Sequence, residues 1–165
     1  MNRAFRPLLI SLMFCLAGCG PSEPAAPAVP EKSAEELRRE EFFGAEGKVP
    51  GIVWRSSGLG IRVIAPGEGV TPQVTDRVRV QYIGRLADGT VFDDSHPHGP
   101  ADFPVNQLVP GWAAAMPSLK PGGKAVFYIP PSLGYGGQRI GKIPPVSGLI
   151  FEVELIAVNP EPPTK

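Results

Sequence analysis

Residues 78–82 read Val78-Arg79-Val80-Gln81-Tyr82, apolar at the even positions and polar at the odd ones. Successive side chains of an extended chain point to opposite faces. Val78, Val80 and Tyr82 therefore line one face of a strand, with Arg79 and Gln81 on the other. Asp88-Gly89, a few residues further on, is a tight turn of the hairpin type. Strand signals also occupy Leu59 to Ala65, Ala125-Val126-Phe127-Tyr128-Ile129 and Phe151-Glu152-Val153-Glu154-Leu155, the last with Phe151, Val153 and Leu155 inward and both glutamates outward. Between them, Gly111-Trp112-Ala113-Ala114-Ala115-Met116 follows Pro110 and stops before Pro117, which predicts one short helix. A short helix against a twisted antiparallel sheet makes an α+β domain. No internal repeat is visible.

Composition sets the bounds on this reading. The 165 residues include 20 Gly and 21 Pro, about a quarter of the chain, which disfavours a helix bundle and favours short strands joined by turns. Disorder is opposed by 42% apolar residues and a formal charge of zero, because unfolded chains combine low hydrophobicity with high net charge. Sixteen basic residues balance sixteen acidic ones without a basic cluster, which argues against nucleic acid as a partner.

The N-terminus reads as an export device. Arg3 and Arg6 precede the apolar run Leu8 to Leu16, too short to span a bilayer, so residues 1–18 are expected to be a signal peptide. Leu16-Ala17-Gly18-Cys19 resembles the lipobox of bacterial lipoproteins, which implies that Cys19 becomes the acylated first residue of the mature chain. A soluble signal cut nearby is the alternative. Several acyl chains give a stable anchor, and Gly20 rather than aspartate after the cysteine implies the outer membrane, facing periplasm or surface. Residues 19–32, with Pro21, Pro24, Pro27 and Pro30 at every third position, form an extended tether. Residues 33–49 form a short helical leader, in which Ser33-Ala34-Glu35-Glu36 fits a capping box, Glu35 to Glu41 present a solvated charged face, and Gly44 is the stop. The folded domain then covers residues 50–159, and 160–165 are a tail. A leader of about three turns favours a monomer.

Several catalytic constellations fail. Gly58-Leu59-Gly60 lacks the third glycine of a dinucleotide site, and Gly134-Tyr135-Gly136-Gly137 lacks the lysine and hydroxyl residue of a phosphate loop. His96 and His98 flank Pro97 with no further histidine or cysteine in the domain, so they read as a solvated loop and no metal is expected. No Gly-x-Ser-x-Gly elbow supports a hydrolase.

Four segments, taken in order, resemble the FKBP-type peptidyl-prolyl cis-trans isomerases. They are Val80-Gln81-Tyr82-Ile83-Gly84; Asp88-Gly89-Thr90-Val91-Phe92-Asp93-Asp94-Ser95; Val109-Pro110-Gly111-Trp112; and Tyr135-Gly136 with Ile143-Pro144-Pro145 and Leu149 to Leu155. The likeness spans roughly residues 57 to 158. Phe103-Pro104-Val105-Asn106 and Pro110-Gly111-Trp112 are similar to the exported bacterial members known as macrophage infectivity potentiators. The resemblance implies an antiparallel sheet of five or six strands wrapped around one short helix, peptidyl-prolyl isomerase activity, and no cofactor.

It further implies a pocket walled by Tyr82, Phe92, Asp93, Leu108, Val109, Trp112, Tyr135, Ile143 and Phe151. Trp112 would be the floor under a proline ring. Tyr135 would donate its hydroxyl, and Val109 its backbone amide, to carbonyls of a bound peptide, while Asp93 would accept from Tyr82 or from the ligand. On residue type alone each aromatic is plain core; the joint match makes the pocket. Implied partners are proline-containing segments of exported proteins, with macrolide immunosuppressants as weak ligands, because Ala101, Leu133, Gly134 and Lys142 depart from the family's usual residues. A catalytically idle binding module on the same fold is the alternative function.

Overall fold

The alternating segment extends at both ends into a nine-residue strand, Arg77–Arg85, with Val78, Val80, Tyr82 and Gly84 buried and the residues between them wetter. It belongs to a computed structural model that describes residues 32–161. In chain order the strands are β1 (Val53–Trp54), β2 (Gly60–Ala65), β3 (Arg77–Arg85), β4 (Val91–Asp94), β5 (Ala101–Pro104), β6 (Lys124–Ile129) and β7 (Leu149–Val158). Two α-helices accompany them, α1 (Ala34–Phe43) and α2 (Pro110–Ala115). Every pairing is antiparallel, in the order β1-β2-β6-β7-β3-β4, with β5 also on β3.

The seven strands exceed the five or six expected for two local reasons. β1 is only two residues long, and β4 and β5 are two pieces sharing the same edge of β3. β5 lies opposite Arg77 to Val80 and β4 opposite Ile83 to Arg85. Ser95 plugs the break between them: its Oγ accepts from the Tyr82 N–H at 2.8 Å, and its own N–H donates to the Tyr82 carbonyl at 3.0 Å. It is buried because the ladder there needs a side chain to complete it. Arg79 and Asp102 face each other across β3 and β5 in a two-pronged contact, 2.7 Å at each prong, and the guanidinium holds the Asp102 carboxyl below the usual aspartate range. Such a half-exposed pair adds no more than about 1 kcal/mol.

Each face of the sheet carries a core cluster. On one side α2 packs Trp112, Ala115 and the following Met116 in a cluster with Val80, Phe127, Ile129, Phe151 and Val153. On the other side Phe43, at the end of α1, joins Val126, Tyr128 and Ile150. β6 is consequently buried on both faces, from Ala125 to Ile129.

Helix α1 begins and ends as the sequence indicates. The Ser33 Oγ accepts from the Glu36 N–H at 3.2 Å, the Glu36 carboxylate accepts from the Ser33 N–H at 2.8 Å, and Gly44 ends the helix at φ +54°. Its charged face is wet apart from Arg39 and Glu40, which are half-buried. Arg39 lies over the Trp54 ring, 4.8 Å from its centroid. The leader helix and the sheet belong to one compact unit. The expected signal, Cys19, the tether up to Glu31 and residues 162–165 lie outside the described residues, among which no helix is long and apolar enough to cross a membrane.

Candidate functional site

On the α2 side of the sheet, between β3, β4, α2 and the 134–146 loop, lies a cavity of about 470 Å³. Its floor is Trp112, 3% exposed, which the start of α2 fixes in place. Val109, the residue before the helix, offers no side-chain cap, and Pro110 presets the first helical φ without needing a donor. The N–H groups of Trp112 and Ala113 both donate to the Val109 carbonyl, at 2.9 and 3.2 Å. Val109's own N–H donates to no backbone carbonyl of the described residues, so a donor stands free at the cavity's edge.

Aromatic rings close around the indole at near-right angles. Phe151, Tyr82 and Phe127 meet Trp112 edge to face, with centroids 5.2, 5.6 and 5.8 Å away. Phe92 stands edge-on to Phe151 at 5.4 Å. These are the favoured geometries of quadrupolar rings, and they fix each wall by its neighbours. The Tyr82 hydroxyl donates to the Asp93 carboxylate at 2.7 Å. Burial first, then that hydrogen bond, drives the Tyr82 pKa well above the ordinary tyrosine value, so the phenol keeps its proton and Asp93 keeps its donor.

All nine residues expected to wall a pocket line this one cavity: Tyr82, Phe92, Asp93, Leu108, Val109, Trp112, Tyr135, Ile143 and Phe151. Sequence reasoning left out Phe103, Gln107, Ile140 and Gly141, and took Lys142 only as a departure from the family's usual residue. Phe103 carried a usable signal, since it lies in the Phe-Pro-x-Asn stretch; β5 sets it opposite Val78, with its ring 6.0 Å from Tyr82. Ile140 and Gly141 carried none, because their hairpin is a single bridge, Ile140 to Ile143. His96 engages Asp94, with its Nδ1 2.7 Å from that carboxylate. No three His, Cys, Asp or Glu side chains gather among the described residues.

Residues 68–156 match the sequence profile of FKBP-type peptidyl-prolyl cis-trans isomerases, more than half of the chain. The chain belongs to this family. Among its FKBP-type relatives, the 22 kDa peptidyl-prolyl cis-trans isomerase of Escherichia coli is 47% identical over 137 residues, covering 76% of this chain and 66% of that protein. The peptidyl-prolyl cis-trans isomerase Mip of Coxiella burnetii is 42% identical over 129 residues, covering 77% and 55%. The crystal structure of FkpA from Escherichia coli superposes with a TM-score of 0.70 at 38% identity, covering 78% of this chain and 61% of that one. The chain thus spans between about half and two thirds of the length of these relatives. The superposition places the antiparallel sheet and its short helix α2 within the FKBP-like fold.

Proposed function

We propose that the protein is a peptidyl-prolyl cis-trans isomerase that binds proline-containing segments in the aromatic cavity and acts on exported proteins as they fold. The observation that carries the reading is the cavity itself: Trp112 as floor, Tyr82, Phe92 and Phe151 as walls, and Asp93 held by Tyr82, in a chain of this family. The physics explains how such a site works without an acid, a base or a nucleophile. Turning a peptide C–N bond meets a barrier of about 18–20 kcal/mol, because the twisted state loses amide resonance. The twisted imide carries less charge on its carbonyl oxygen than the planar one. A cavity that replaces water by aromatic faces penalises the planar form more and so lowers the barrier by differential binding. Tyr135, half-buried at the edge, donates its hydroxyl to a substrate carbonyl, and the free Val109 N–H donates to a second one. The same cavity takes macrolides weakly. Uncatalysed prolyl isomerisation takes tens to hundreds of seconds, slow enough to limit folding.

The test is isomerisation of an Ala-Pro-Phe-type peptide by the full chain in mild detergent, followed without a coupling protease. A rate well above background is expected, and Asp93→Ala lowers it by about tenfold or more, since a hydrogen bond to a charged group is worth about 1.5–3 kcal/mol. No rate above background in a folded protein would leave a peptide-binding module instead.

The signal-like run at residues 8–16 and the lipobox-like Leu16-Ala17-Gly18-Cys19 support export and acylation of Cys19, with the protein held at the outer membrane. Palmitate labelling and membrane fractionation check this. Cys19→Ser is expected to abolish the label and release the protein; equal membrane association of the two forms refutes the anchor.

A further inference from the structure

One cationic side chain, Lys142, stands in the lining of the cavity, and it is carried by one short hairpin. Ile140 and Ile143 exchange both backbone hydrogen bonds, at 3.1 and 2.8 Å, leaving Gly141 and Lys142 as a two-residue turn. Gly141, at φ +52°, occupies the first turn position, where the II′ hairpin requires a positive φ. The loop behind it is fixed by Gly136, whose N–H donates to the Pro131 carbonyl at 2.9 Å and whose carbonyl accepts from the Val146 N–H at 2.8 Å. Residues 140–143 all line the cavity, so Lys142 is carried on a defined wall.

Lys142 forms no ion pair among the described residues; its one hydrogen bond is a long one, 3.4 Å, to the Val91 carbonyl at the start of β4. Arg139, one residue before the hairpin, is exposed and likewise without hydrogen bond or ion pair among the described residues. Asp93 is the one carboxylate lining the cavity, and it is engaged by the Tyr82 hydroxyl. Gln107, also in the lining, is neutral.

The geometry points to a preference for substrates with an acidic residue immediately beside the proline, recognised by Lys142 and reinforced by Arg139. The inference rests on the isomerase reading above and adds to it a substrate class. A proline ring seated on Trp112 brings its neighbours in sequence to the mouth, where a carboxylate meets an unpaired ammonium and a lysine or arginine meets a like charge. Asp93 opposes the effect from the side wall, and salt screens a rim charge, so the selectivity is moderate and is expressed mainly at low ionic strength.

The test compares peptides containing Glu-Pro or Pro-Glu with their Gln isosteres, by exchange NMR for isomerisation and by chemical-shift titration for binding, on the full chain in mild detergent. Glutamate in at least one of the two positions is expected to raise kcat/KM about threefold to tenfold over glutamine at low salt, with the ratio falling toward one at high salt. Each variant is judged by its own Glu-to-Gln ratio: Lys142→Met brings it to about one, Lys142→Glu inverts it, and Arg139→Gln lowers it in part. Ratios near one in both positions, with isomerisation intact, overturn the inference and leave the isomerase reading standing. Glutamate-selective binding without isomerisation keeps the rim preference and sinks the isomerase reading, while neither binding nor isomerisation overturns both.

Discussion

Phe43→Ala is expected to lower folding stability by about 3–5 kcal/mol, the range for truncating a fully buried phenylalanine. Phe43 is 1% exposed, although it ends a helix whose other residues are mostly charged and wet. Its ring lies 5.6 Å from Trp54 and meets Tyr128 edge to face at 5.7 Å, and with Val126 and Ile150 these rings seal the outer face of the sheet. The neighbouring backbone cannot close the hole. At Gly148 an added Cβ would come within 2.5 Å of the Phe42 carbonyl oxygen and 2.9 Å of the Phe43 ring, so the 144–148 loop already touches the helix end and its position depends on the ring staying there. Leu37, on the same helix but 53% exposed, is the control: Leu37→Ala should stay within about 0.5 kcal/mol of the parent. Urea unfolding of both variants reads the difference. A loss below about 1 kcal/mol for Phe43→Ala would mean that α1 only rests on the sheet rather than completing its second core.

That second core shows where the sequence stops being legible. The capping box at Ser33 and the stop at Gly44 are chemical signatures of helix ends and can be read directly, as can β3 and the stretch of β7 from Phe151 to Ile156, where one wetter face produces alternation. Phe42-Phe43 could not be read as an anchor, because two aromatics after a run of six charged residues and one leucine carry no period that points to a sheet. β6 is apolar at almost every position because both faces are covered, and a continuous apolar run does not say what covers it. β5, Ala101–Pro104, is too short to alternate visibly and ends in a proline, which an edge position tolerates. The walls of the cavity were legible only jointly: each aromatic looks like core, and most are core, since Trp112 and Phe151 are both nearly inaccessible. Val146 escapes sequence reasoning altogether. A β-branched residue at φ +57° is held there by its bond to Gly136, a tertiary contact that no local pattern announces.

Gly84→Ala is expected to damage catalysis more than folding. Gly84 sits within β3, opposite Asp93 on one side and Phe151 on the other. A Cβ there would lie 2.5 Å from the Phe92 ring and 2.8 Å from the Phe151 ring, both distances that real contacts do not reach. Glycine in a strand interior normally weakens it and marks a close approach; here the approach is that of two cavity walls. The methyl group can be housed only if Phe92 and Phe151 leave the edge-to-face arrangement they now hold at 5.4 Å, and Phe151 in turn braces Trp112. Overpacking of this kind costs about 1–3 kcal/mol. Because Phe92 is only half-buried it can yield toward the cavity, so much of that strain falls on the substrate's place rather than on the core. At about 1.4 kcal/mol per factor of ten, kcat/KM should fall roughly fivefold to a hundredfold. Gly137→Ala, where a Cβ meets nothing within 4 Å and φ is not positive, should leave both rate and stability near the parent's. Unfolding midpoints and isomerisation rates for the two variants, with aromatic NMR shifts to report the rings, separate the cases. If the Phe92 and Phe151 signals move in Gly84→Ala while kcat/KM holds, the aromatic wall is scaffold, and catalysis must rest on the Trp112 floor and the Tyr135 edge.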